Sequence, residues 1–340
     1  MKAYLNGISY YLPQEILDNV KLSSMHPEWS VEKISEKTGI YERHIASEFE
    51  FASDMALAAL EIFFEEHAID KKDIDFLLFC TQCPDYLLPT TACILQDKAG
   101  LPKSCGALDF NLGCSGYIYG LGLAKGLVES GQARNVLLVT ADTYTKLINE
   151  KDKSNKTIFG DGASVSLITS EPKEVLFKAS IQDFVYGTDG SGSEHLIVKN
   201  SGIKKHKELS ADEFNETGDF LRNDDYLYMN GKEIFQFTAF QVPKLIKNVL
   251  QKNNLELTDV DMFVFHQANE FMLEKKKKRC DIPDDKFFIS IKDVGNTVSS
   301  TIPIALKRAI EQNKIEANNK VILAGFGVGL SMGSVMINFN

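Results

Sequence analysis

Residues 73–80 read DIDFLLFC and residues 259–266 read DVDMFVFH, and this near-repetition constrains the fold more than any other feature of the chain. Each copy follows a stretch with apolar residues at helical spacing: FASDMALAALEIFFEEHAI at 51–69 and FQFTAFQVPKLIKNVLQKN at 235–253. A second pair lies further along each copy. DFNLGCSGYIYGLGLAKGLVESGQARNVLLVTAD (109–142) reads strand, Gly-Cys turn, helix, strand, and IKDVGNTVSSTIPIALKRAIEQNKIEANNKVILAGFG (291–327) repeats that order. Gly113-Cys114 then matches Gly295-Asn296, and Cys80 matches His266. Two pairs in the same order predict a duplicated chain.

Strands that alternate with helices predict mostly parallel sheets covered on both faces. In such folds functional groups gather at the carboxyl ends of strands. A first half over 1–175 and a second over 226–340 can present those ends to one centre. The polar stretch between, 176–225, reads as a connection and part of a cap. The helix after Cys114 carries Gly116, Gly120, Gly122 and Gly126. Each glycine costs a helix interior roughly 1 kcal/mol against alanine, so the run predicts a buried helix that another backbone approaches closely.

Composition narrows the function classes. A net charge of −10 argues against a general nucleic-acid binder. No 18-residue uncharged apolar run appears, so no membrane span is expected, and the N-terminus has no signal-peptide pattern. The six cysteines lie mostly in apolar segments, a pattern of reduced, cytoplasmic proteins. Cys80-x-x-Cys83 lacks a second pair at metal-ligand spacing, and no metal is expected.

Cys114 precedes a helix, where the helix dipole and unpaired N–H groups favour thiolate and can hold a thioester oxygen. His266 ends an apolar strand and can serve as a neutral donor or a base. Asn296 offers a neutral amide donor, or caps the helix that follows. A cysteine with a distant histidine and asparagine suits covalent thioester chemistry.

Six segments in order carry a family resemblance: TGIYERHIA (38–46), GCSGYIYG (113–120), IFGDGA (158–163), FHQAN (265–269), GNTVSSTIP (295–303) and GFGVGLSMG (325–333). Together they resemble β-ketoacyl-acyl-carrier-protein synthase III of the thiolase superfamily. The resemblance implies a thiolase-like duplicated five-layer αβαβα fold and a homodimer without a cofactor. It implies decarboxylative condensation of an acyl thioester, on coenzyme A or acyl carrier protein, with a malonyl group on the carrier. Cys114 would carry the acyl group, and His266 and Asn296 would stabilise the enolate. The backbone N–H groups of Cys114 and Val328 would hold the thioester oxygen.

Asn269, Leu88 and Lys37 match substrate-binding positions. Lys37 replaces an arginine found in members that bind coenzyme A well, and Trp29 lies upstream of the matching tryptophan position. A carrier-protein donor is therefore at least as compatible. Gln82 stands where glutamate-base relatives place their base. Lys278 and Arg279, in the run KKKKR (275–279), match basic carrier-docking positions, and a basic patch steers acidic partners. An acyltransferase of the same fold, passing the acyl group to an oxygen or nitrogen acceptor, is the alternative reading.

Overall fold

The structure, a computed structural model, describes residues 2–173 and 177–340. The boundary expected between 175 and 176 lies outside the described residues. In chain order the strands of the large sheet begin with β1 (Tyr4–Tyr11), β4 (Phe76–Cys80), β5 (Gly106–Phe110), β6 (Asn135–Asp142) and β7 (Gly162–Thr169). They continue with β8 (Ala179–Thr188), β13 (Met262–Phe265), β14 (Lys320–Gly327) and β15 (Ser331–Phe339). Short hairpins and ladders use β2 (Glu15–Asp18) with β3 (Glu42–Ile45), β9 (Leu196–Ile197) with β12 (Tyr228–Met229), and β10 (Glu213–Phe214) with β11 (Phe220–Arg222).

The order across the large sheet is β13-β14-β15-β8-β1-β7-β6-β4-β5. Its middle seam is thin: β1 and β8 meet only at Tyr4–Ser180 and Leu5–Ala179. The seam separates two lobes of matching topology. In one, β4 pairs parallel with β5 and β6, and β7 and β1 follow antiparallel. In the other, β13 and β14 are parallel, and β15 and β8 follow antiparallel. The counterpart of β5 is reduced to one parallel bridge, Phe263–Phe287.

Nine helices are described: α1 (Asn19–Met25), α2 (Val31–Thr38), α3 (Ala52–Glu66), α4 (Thr91–Lys98), α5 (Gly116–Glu129), α6 (Lys153–Lys156), α7 (Gly231–Lys252), α8 (Glu270–Arg279) and α9 (Thr301–Glu311). Strand residues point alternately to opposite faces, and this alternation builds the layers. Leu78, Val136 and Leu138 join Val264, Val321 and Leu323 in a central core around α5 and α9. Leu77, Leu137 and Val139 face α3 and α4 on one outer side. Phe263, Phe265 and Ile322 face α7 and α8 on the other. The result is the five-layer αβαβα arrangement. Each large apolar side chain so buried contributes roughly 1.5–3 kcal/mol.

Three sequence expectations change. Residues 179–188, read as the start of a polar connection, form β8, buried at Ala179, Ser180, Ile181 and Phe184 and partly open elsewhere. In α5, side chains rather than a second backbone crowd the glycines: Gly120 is pressed against Leu138 and Phe110, and Gly116 against Cys80. Gly126 has open space around it, so close approach does not explain it. In KKKKR, Lys276 and Lys277 are buried rather than solvated. Lys276 lies over the Phe235 ring at 4.6 Å, and Lys277 pairs with Glu274 at 2.8 Å and Asp284 at 2.6 Å.

Candidate active site

The two lobes bring their strand ends together at a small cavity of about 50 Å³. Cys114, His266, Asn296 and Asn269 line it, with Phe326, Gly327 and Met272 among the apolar walls. Cys114 sits two residues ahead of α5 and is 6% exposed. Gly327 passes so close that a Cβ there would lie 2.7 Å from the Cys114 sulfur. Only a glycine leaves room for the thiol.

Burial pushes the Cys114 thiol up to about 12, while a hydrogen bond from the Val328 backbone N–H pulls the other way. Desolvation thus outweighs the helix-terminus effect that predicted a thiolate. The resting Cys114 side chain is the neutral thiol.

His266 follows β13 directly, and its backbone N–H donates to the Ala324 carbonyl at 2.8 Å. Its Nδ1 lies 2.7 Å from Thr301 Oγ1. Burial holds the ring down to about 3, so it is neutral at ordinary pH. Asn296 is locked by its main chain, which donates to Ile158 at 2.9 Å and accepts from Gly160 at 3.1 Å. Its Oδ1 accepts from Val298 N–H at 2.9 Å. That bond fixes the amide orientation and leaves the NH2 group for the cavity that Asn296 lines. Gly295, at φ 73°, supplies the left-handed turn that aims Asn296.

Asn269 reaches the cavity, but its Oδ1 caps α8 by accepting from Met272 N–H at 2.8 Å. Val328 lies at the sulfur and also lines a neighbouring cavity. The other predicted residues are elsewhere. Leu88 is 83% exposed and lines no described cavity of its own chain. Lys37 ends α2, with Nζ 4.8 Å from the Trp29 ring, so the displaced tryptophan does meet the lysine. Lys278 and Arg279 are both exposed. Pro243 lacks the N–H that would bond the Ala239 carbonyl, and Arg279 donates to that carbonyl at 3.1 Å. Arg279 therefore repairs α7.

Two contributors escaped the sequence reading. Thr301, inside the quoted GNTVSSTIP segment, holds His266. Asp142 ends β6 and ties the lobes: it accepts from Gln82 N–H at 2.7 Å and from the Ser299 hydroxyl at 2.5 Å. Burial raises it to about 7. A polar residue closing the apolar run NVLLVTAD was the available signal.

Comparison with known proteins shows the family. The family described as 3-oxoacyl-[acyl-carrier-protein (ACP)] synthase III matches residues 108–190, and its C-terminal counterpart matches 250–339. A Staphylococcus epidermidis protein named β-ketoacyl-[acyl-carrier-protein] synthase III 2 is 36% identical over 329 residues, spanning 97% of this chain and 96% of its own. The chain belongs to the β-ketoacyl-acyl-carrier-protein synthase III family. A solved 3-oxoacyl-(acyl-carrier-protein) synthase III superposes with a TM-score of 0.95 at 44% identity, each chain covered fully. The 3-oxoacyl-(acyl-carrier protein) synthase of Burkholderia xenovorans superposes at 0.89 with 33% identity, covering 99% of this chain and 94% of that one. No described helix is long and apolar enough to cross a membrane.

Proposed function

We propose that this synthase III family member condenses an acyl thioester with a malonyl group on acyl carrier protein, through an acyl group held on Cys114. The carrying observation is that a thiol from one lobe and an imidazole and an anchored amide from the other line one cavity. The nucleophile and base begin neutral, since burial raises Cys114 to about 12 and lowers His266 to about 3. In the first step the Cys114 sulfur attacks the thioester carbonyl, and the N–H groups of Cys114 and Val328 hold the oxygen as it gains charge. The donor thiol leaves with the proton.

In the second step the malonyl carboxylate departs as carbon dioxide, and its bonding pair becomes an enolate. His266 Nε2–H and the Asn296 NH2 group donate to the enolate oxygen. This role requires a hydrogen on Nε2, so Nδ1 must accept from Thr301. Thr301 Oγ1 is 2.7 Å from Nδ1 and 3.0 Å from the Val298 carbonyl, so this tautomer requires its single hydrogen to turn from Val298 to Nδ1. The enolate carbon attacks the acyl group, the Cys114 sulfur leaves as thiolate, and a proton from solvent restores the neutral thiol.

Lys278, exposed on α8, is assigned to carrier docking. The exposed Leu87 and Leu88, with Leu108 on the edge strand β5, support pairing with a second copy. Six free thiols suit a cytoplasmic site of action.

Intact-mass analysis tests the reading. The protein is incubated with acyl donors on coenzyme A and on carrier protein, then with malonyl carrier protein. An acyl mass on the wild type, its absence in Cys114→Ala, and release of carbon dioxide with a product two carbons longer are expected. Acyl mass on Cys114→Ala rules out the nucleophile.

A further inference from the structure

A second cavity, about 230 Å³, adjoins the first, and Leu196 lines both. Three contacts place it at the thiol. Val328, whose N–H reaches the Cys114 sulfur, lines it. Gln82 and Val328 both crowd Gly113, the residue before Cys114: a Cβ there would lie 2.5 Å from Gln82 Oε1 and 2.7 Å from Val328 Cγ1. Tyr144 shares one apolar cluster with Cys114 and is 3% exposed.

The cavity is built in two parts. Leu147, Leu196, Val198 and Leu227 form an apolar wall. Opposite them runs a linked polar row: the Tyr144 hydroxyl donates to Gln82 Oε1, and Gln82 Nε2 donates to Asn111 Oδ1 at 3.0 Å. Reversing both amides turns every donor in the row into an acceptor and keeps the row intact. In either orientation hydrogen-bonding capacity remains for a third partner. No lysine, arginine or histidine lines the cavity, so a buried carboxylate would meet no counter-charge. Its volume is below the roughly 300–1,000 Å³ of drug-sized sites, which suits a short chain.

We infer that the acyl group accepted by Cys114 is a short chain bearing a neutral oxygen function, hydroxyl or oxo, at its distal part, selected by the Gln82–Tyr144–Asn111 row. This rests on the proposed acyl-Cys114 reading and adds its substrate class. A plain alkyl chain would offer no partner at the buried Tyr144 end of the row, whereas the Asn111 end is exposed. A site built to bond a substrate oxygen discriminates far more strongly than an apolar pocket does.

The test compares pentanoyl, 4-hydroxypentanoyl, 4-oxopentanoyl and succinyl thioesters, each on coenzyme A and on acyl carrier protein. Acyl-enzyme formation is followed by intact mass. The inference expects the better oxygenated chain to load about tenfold faster than pentanoyl, with succinyl slowest. Tyr144→Phe, which removes only the hydroxyl, should bring the oxygenated-to-alkyl ratio to about twofold or less, and Gln82→Met should do the same. Preference for pentanoyl in the wild type overturns this inference and leaves the parent reading intact. So does a ratio unchanged in both variants. A protein that takes no acyl group from any donor overturns the parent reading, and this inference with it.

Discussion

Matching places in the two lobes hold residues with opposite fates. Cys80 and His266 each end the equivalent strand. The Cys80 thiol donates to the Leu112 carbonyl at 3.1 Å and is covered by Gly116, so nothing reaches it. His266 is held by Thr301 on one ring nitrogen and lines the cavity beside Cys114. The turn that follows shows the reverse division of labour. The first lobe puts the reactive group there, Cys114, and the second puts the fixed donor, Asn296. A duplicated scaffold supplies four strand-end places. This chain spends one on packing and aims three at a common centre.

Exchanging the fates of the two cysteines should produce the largest effect. Cys114→Ala should reduce condensation by on the order of 10³-fold or more, whereas Cys80→Ala should change acyl loading by less than about twofold. Equal losses in both variants, measured by intact mass, would erase the distinction between the lobes.

The pH profile sharpens the contrast. With His266 held at about 3 and Cys114 at about 12, neither group titrates between these values. The acylation rate should then rise steadily with pH from roughly 5 to 9 as the small thiolate fraction of Cys114 grows, with no step from His266. An inflection near 6.5, the ordinary histidine value, would show that His266 is solvated like a surface residue.

The tie between lobes gives a smaller effect on stability. Asp142 is raised to about 7 in the folded chain, against about 3.9 when unfolded. Between those values the folded state holds the extra proton. Stability should therefore fall as pH rises from about 4 to 7 and level off above. Asp142→Asn should flatten that slope in thermal denaturation. Ser299→Ala, which removes the hydroxyl donor, should cost about 0.5–1.5 kcal/mol.

The smallest effects separate two neighbours on α8. Arg279→Glu leaves the Ala239 carbonyl unpaired and should destabilise by about 1–2 kcal/mol. Lys278→Glu should leave the melting temperature unchanged and raise KM for malonyl carrier protein by roughly threefold to tenfold. Loss of stability in both would remove the docking assignment.

Much of this architecture was legible because the pattern recurs. The repeated DxDxxxx segments mark β4 and β13 with their flanking helices, and the paired Gly-Cys and Gly-Asn turns mark where the lobes face each other. What stayed hidden depends on contacts between distant segments. Nothing local says that Arg279 is committed to a carbonyl freed by Pro243, or that Lys276 is covered by Phe235. Residues 179–188 looked like linker because Ser180, Gln182, Asp183 and Thr188 interrupt the apolar residues, although Phe184 and Val185 pack against cores on opposite faces of β8. The thiolate expectation weighed the helix terminus, a local feature, and missed the burial that both lobes impose on Cys114. Gln82 was read as a missing base, and its bond to Tyr144 became visible only when β4 and β6 were set side by side.

A pulse-chase experiment on His266→Ala tests the sharing of one cavity between lobes most directly. The variant is loaded with acyl donor, freed of excess, and mixed with malonyl carrier protein, and the acyl mass on Cys114 is followed in time. The two-lobe site predicts that the variant loads and then retains its acyl group, while the wild type discharges it with release of carbon dioxide. Discharge of the variant at the wild-type rate would contradict any part for His266 in the chemistry at Cys114.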